Sequence, residues 1–123
     1  MPRILVVDDE TAIRSLLAMA FARAGYEVRT AGRAREALAL CAVEAFDALL
    51  SDVLMPEMNG HELVHWVMAY HPTIRCVLMS AYDDTECQDC PMISRCPFLP
   101  KPFNPKDAVS LVEPVLREPP ATN

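Results

Sequence analysis

The sequence predicts an α/β domain in which a five-stranded parallel sheet is wrapped by helices on both faces, and three observations carry that prediction. Short aliphatic or β-branched runs alternate along the chain with longer stretches of helical period, which is the pattern of repeated strand–helix crossovers. Two of those runs end in carboxylates: Ile4-Leu5-Val6-Val7 leads into Asp8-Asp9, and Ala48-Leu49-Leu50-Ser51 leads into Asp52. The length, 123 residues, suits one domain with a proper core.

The strands are expected at Arg3 to Val7, Tyr26 to Thr30, Asp47 to Ser51, Ile74 to Ser80 and Pro97 to Pro100. After the first, Ile13, Leu16, Leu17, Ala20, Phe21 and Ala24 recur at helical spacing, and Gly25 supplies the stop. The second helix spans about Arg33 to Glu44 and is expected to bury Ala37, Leu38, Cys41 and Ala45. A third runs from about His61 to Tyr70 through Leu63, Val64 and Val67, and Pro72 closes it. The crossover between Ser80 and Lys101 breaks the regularity. Asp83, Asp84 and Thr85 offer a helix start, but Pro91 and Pro97 follow closely, so a short or irregular fourth helix is expected. A final helix starts after Asn104, an N-cap residue, with Pro105 first and Asp107 in the first turn. Its apolar stripe is Ala108, Leu111, Val112 and Val115, and Pro114 within it should bend or shorten it. The segment from Glu118 to Asn123 reads as a disordered tail or the start of a linker.

Charge and composition exclude several classes of partner. A net charge of −6 without a basic stripe argues against direct binding to nucleic acid, and Arg29, Arg33 and Arg35 read as solvated charge near a helix start. Met1-Pro2-Arg3 leads into four apolar residues and then acids, which fits neither a signal peptide nor an anchor. No apolar run has membrane-spanning length, so a cytoplasmic protein with no membrane partner is expected.

Carboxylates at the carboxyl ends of buried strands lie where open α/β sheets place their ligands. Asp8, Asp9 and Asp52 would crowd one crevice there. Like charges that close resist joint ionisation unless a cation neutralises them, and a hard divalent ion such as Mg²⁺ fits an all-oxygen set. Each residue also has a plainer use: Asp8-Asp9 as a helix cap, Asp52 as a turn residue, Ser80 as a strand end, Lys101 as a solvated charge. Their shared position at one sheet edge is what favours a joint role.

Asp8-Asp9, Asp52 with Met55-Pro56-Glu57-Met58-Asn59-Gly60, Ser80-Ala81 and Lys101-Pro102-Phe103 resemble the receiver domain of two-component response regulators, of the chemotaxis-regulator type. The resemblance runs from Arg3 to about Arg117 and implies a receiver domain over residues 1–117 with a flavodoxin-like strand order. It implies that Asp52 is the phosphoacceptor, that Asp9, Asp52 and the Leu54 backbone carbonyl hold Mg²⁺, and that Asp8 acts mainly through water. Lys101 and the Ser80 hydroxyl would neutralise the phosphoryl oxygens. It further implies a switch through Ser80 and the aromatic Phe98, for which a plain core role is the competing reading. The implied partners are a sensor histidine kinase and an unknown downstream protein or output domain. The chain would catalyse only its own phosphorylation and dephosphorylation. Leu54 and Tyr82, bulky and uncharged beside the line of water attack, predict slow loss of the phosphoryl group.

Five cysteines is a high count, and Cys87, Cys90 and Cys96 fall in the proline-broken segment. Their spacing matches no strong metal signature, and free buried thiols are common. A cysteine-based metal or redox sensor on a receiver scaffold is the alternative reading. The same segment departs from the usual receiver pattern, which puts dimerisation through that face in doubt.

Overall fold

The computed structural model describes residues 2–53, 58–80, 98–100 and 103–117. Their elements follow in the order β1 (Arg3–Val7), α1 (Thr11–Arg23), β2 (Glu27–Ala31), α2 (Ala34–Val43), β3 (Ala48–Asp52), α3 (Gly60–Tyr70), β4 (Arg75–Ser80), β5 (Phe98–Pro100) and α4 (Pro105–Arg117). All strand pairs are parallel, in the order β2-β1-β3-β4-β5. The expectations for Leu54, Tyr82, Lys101, the fourth crossover helix, the Cys87–Cys90–Cys96 segment and the tail fall outside the described residues.

Strand alternation divides the core between the two faces of the sheet. In β1, Leu5 and Val7 join a cluster with Ala37 and Cys41 of α2 and Leu63, Val64 and Val67 of α3. Ile4 and Val6 point the other way, to Leu17 and Phe21 of α1 and Ala108 and Val112 of α4. A strand buried on both sides needs a continuous apolar run, which is why β1 and β3 read as such.

Local chemistry sets the helix ends. Gly25, with φ of 98°, follows α1; the Tyr26 amide donates to the Phe21 carbonyl at 3.0 Å and the Gly25 amide to that of Ala22 at 3.1 Å. The Phe21 and Tyr26 rings meet edge to face at 5.7 Å, completing a Schellman stop with its apolar contact. Asn59 caps α3 by accepting from the Glu62 amide at 2.9 Å. At α4, Asn104 Oδ1 accepts from the Lys106 amide at 3.0 Å, while Asp107 Oδ2 accepts from the Asn104 amide at 3.3 Å, a reciprocal box.

Several sequence expectations are corrected. The helix expected from the spacing of Ile13 to Ala24 forms as α1, and of that apolar set Leu17 and Phe21 are fully buried while Leu16 and Ala24 are exposed. Ala45 is exposed beyond the end of α2, and Phe46 fills the core instead. Of the two effects expected of Pro114, bending or shortening, the shortening does not occur: α4 continues to Arg117 with Pro114 on its exposed side. Arg29 is exposed, as expected of solvated charge, and it also meets Glu44 at 3.3 Å, which in turn meets Arg3 at 3.4 Å.

Candidate functional site

The strand order places the site. From β1 the chain leaves over one face through α1 to β2, and from β3 it leaves over the opposite face through α3 to β4. The carboxyl ends of β1 and β3 therefore border a crevice at the topological switch point. Asp8 and Asp9 follow β1, Asp52 ends β3, and one carboxylate oxygen from each lies within 4.8 Å of the others. Asp8 and Asp52 are 0% and 5% exposed, whereas Asp9 faces solvent.

Backbone bonds fix both sides of this crevice. The Asp8 amide donates to the Ala31 carbonyl at 3.1 Å, and Asp8 Oδ1 accepts from the Glu10 amide at 2.9 Å. That second bond is the turn role a lone Asp could play, but it engages one oxygen and leaves Glu10, which makes no side-chain cap bond, at the N-cap of α1. On the other side, the Val53 amide donates to Met79 and the Gly60 amide to Val53, both at 2.8 Å. Gly60 is required there: a Cβ would sit 2.9 Å from Val53 Cα and strike the Asp52 carbonyl. The start of α3 thus rests directly on the backbone of the Asp52 strand end.

Among the described residues this carboxylate set is the group suited to holding a metal. Oxygen-only donors, two of them buried, match a hard divalent cation and not zinc or a cluster held by thiolates. Ser80 closes β4 opposite Pro100, one position past Met79, the register partner of Asp52; Phe98 opens β5 opposite Leu78. Ser80 therefore stands on the strand beside β3, and Phe98 on the strand beyond it, both as backbone positions. Cys41 and Cys76 are buried in the core cluster shared by α2 and α3, and neither belongs to the carboxylate group.

The model of the response regulator receiver domain matches residues 4–113. This chain belongs to that family. Receiver relatives include the DNA-binding transcriptional regulator NtrC of Azospirillum brasilense, 41% identical over 96% of this chain and 25% of that protein. The chain spans about a quarter of the length of the NtrC relatives. A CheY-like receiver domain from Methanospirillum hungatei superposes with a TM-score of 0.88 at 30% identity, covering 95% of this chain and 94% of that one. The response regulator TrrA of Thermotoga maritima, solved in complex with Mg²⁺–BeF, gives 0.82 at 29% identity over 94% of this chain and 99% of that one. The receiver fold and its flavodoxin-like order are thus those the sequence motifs implied. No helix among the described residues is long and apolar enough to cross a membrane.

One contributor to this receiver site escaped the sequence reading. Arg14 of α1 donates through Nη1 to the Asp8 carbonyl at 2.7 Å and through Nη2 to Thr11 Oγ1 at 3.2 Å. A signal was present: α1 has no acid in its first turn and a cation one residue later, where the helix dipole favours the opposite charge.

Proposed function

We propose that this receiver accepts a phosphoryl group on Asp52 from the phosphohistidine of a sensor kinase and, once modified, changes its affinity for a downstream protein or output domain. The convergence of three carboxylates within 4.8 Å at the switch-point crevice carries the reading. An Asp52 oxygen attacks phosphorus, the phosphorus–nitrogen bond breaks, the imidazole leaves and takes up a proton, and an acyl phosphate remains. Asp9, Asp52 and the Leu54 carbonyl would hold Mg²⁺, with Asp8 acting through water; when bound, the ion supplies charge neutralisation for the phosphoryl oxygens. Lys101 and the Ser80 hydroxyl contribute positive charge and a hydrogen bond to the same oxygens. Attack by water reverses the modification, releasing inorganic phosphate, and the chain has no other catalytic task.

The switch passes from Ser80 to Phe98 through packing, since Phe98 has no hydroxyl. The net charge of −6 assigns nucleic-acid contact, where a longer protein has it, to other parts of that protein. The thiol-based alternative finds no support among the described residues, where the metal-suited group is carboxylate.

Incubation with Mg²⁺ and a small acyl-phosphate donor, read by intact mass, tests the proposal. One added phosphoryl group in the parent chain and none in Asp52→Asn is expected. Absence of addition with every donor, or equal addition in the variant, overturns it.

A further inference from the structure

Asp8 is held from an unexpected direction. Its amide is fixed by Ala31 at the end of β2, and its carbonyl accepts the charge-assisted bond from Arg14. The Arg14 guanidinium also grips Thr11, the first residue of α1, so one side chain ties the strand end to the helix across the turn that carries Asp8, Asp9 and Glu10. Space for it comes from Gly32, just past β2: a Cβ there would lie 3.0 Å from Arg14 Nη1 and 3.7 Å from Glu36 Oε1. Gly25, not Gly32, is the positive-φ glycine among the described residues, so what a side chain at position 32 would meet is the Arg14 guanidinium, which would have to shift, and not a backbone constraint.

We propose that Arg14 is a positioning residue for the carboxylate cluster. Its guanidinium pins the Asp8 carbonyl so that the β1–α1 turn presents Asp8 and Asp9 toward Asp52, and Gly32 keeps the guanidinium in place. The inference rests on the reading of the cluster as a Mg²⁺ site. Its two physical consequences have opposite signs, which makes it testable. As a positive charge near three carboxylates, Arg14 repels a cation, so its removal should tighten Mg²⁺ binding by Coulomb's law. As the clamp on the turn, it preorganises the ligands, so its removal should weaken binding, as loss of outer-shell partners does at metal sites.

The experiment is calorimetric titration of Mg²⁺ into the parent chain, Arg14→Gln, Gly32→Val and the double variant, with Trp66 emission confirming that each is folded. Positioning predicts affinity weaker by about tenfold in Arg14→Gln, the low end of outer-shell effects. It predicts a similar loss in Gly32→Val, which keeps every charge, and no further loss in the double variant. Phosphorylation by an acyl-phosphate donor should recover toward the parent rate at saturating Mg²⁺, since the loss lies in binding. Unchanged or tighter binding in Arg14→Gln overturns the inference, as does full additivity in the double variant. A parent chain that does not bind Mg²⁺ removes the metal reading on which the inference stands, an outcome distinct from a parent that binds and a variant that binds as well.

Discussion

The carboxylate cluster should cost the metal-free protein stability, and neutralising Asp52 should return part of that cost. Asp8 and Asp52 are both buried, and their nearest ligand oxygens lie within 4.8 Å. Two full charges at that separation repel by about 3.5 kcal/mol at an effective dielectric of about 20. Asn keeps the size of Asp52 while removing its charge, but it also weakens the interactions that the carboxylate makes, each worth about 1 kcal/mol or more. A net gain of about 1–2 kcal/mol is expected for Asp52→Asn in EDTA, raising the melting midpoint by roughly 4–8 °C. Urea unfolding followed through Trp66, the single tryptophan, measures it, because unfolding breaks the stack of Trp66 on Tyr70 at 5.0 Å. Mg²⁺ should narrow the difference. For a site of ~1 mM affinity, 10 mM ion stabilises the parent by about 1.4 kcal/mol through mass action, and the variant by less. A variant no more stable than the parent without metal, or a parent unmoved by Mg²⁺, would refute the reasoning.

Three further outcomes are expected. Gly60→Ala forces a Cβ against the Asp52 and Val53 backbone, which cannot yield as a side-chain tip does; urea unfolding should show a loss of about 1–3 kcal/mol, and a loss under 0.5 kcal/mol would contradict the close approach. Burial raises the Cys41 thiol above its ordinary value, so the folded state holds its proton more tightly than the unfolded one. Its contribution is therefore complete below the unfolded thiol's range and lost as pH climbs through the folded value; unfolding curves between about pH 8 and 10 should fall less steeply in Cys41→Ala than in the parent. Leu54→Asn should accelerate loss of the phosphoryl group, followed by the decay of the modified mass, and equal or slower decay would discard the assignment of Leu54 as a barrier to water.

Much of the fold was legible because its determinants are local or periodic. Apolar runs marked all five strands to within a residue or so at their starts and ends, and Gly25, Pro105 and Asn104 announced helix boundaries through their own backbone chemistry. Errors arose where tertiary cover decides. Phe46 takes the place in the core expected of Ala45, because the chain leaves α2 at Val43. The three carboxylates were legible as strand-end acids, since parallel strands bring all their carboxyl ends to one edge. Arg14, Gly32 and the spatial reason for Gly60 were not, because each depends on an approach between elements distant along the chain or on the space left between them.

That division bears on how the site works. Acids at strand ends come cheaply to any parallel sheet, but repelling carboxylates will spread apart unless something outside the cluster resists. Here the resistance is backbone: Asp52 is held by the β3 ladder and by α3 resting on it through Gly60, and Asp8 by Ala31 on one side and Arg14 on the other. Carboxylates held together in this way respond to a bound cation or to a change in the charge of one of them. In the function proposed, this crevice takes up Mg²⁺, and phosphorylation of Asp52 changes the charge at a strand end that the β3–β4 ladder and the start of α3 both hold. On the proposed reading, the response must then travel along the remaining direction, from the end of β3 across β4 and β5, whose carboxyl ends carry Ser80 and lead into Lys101.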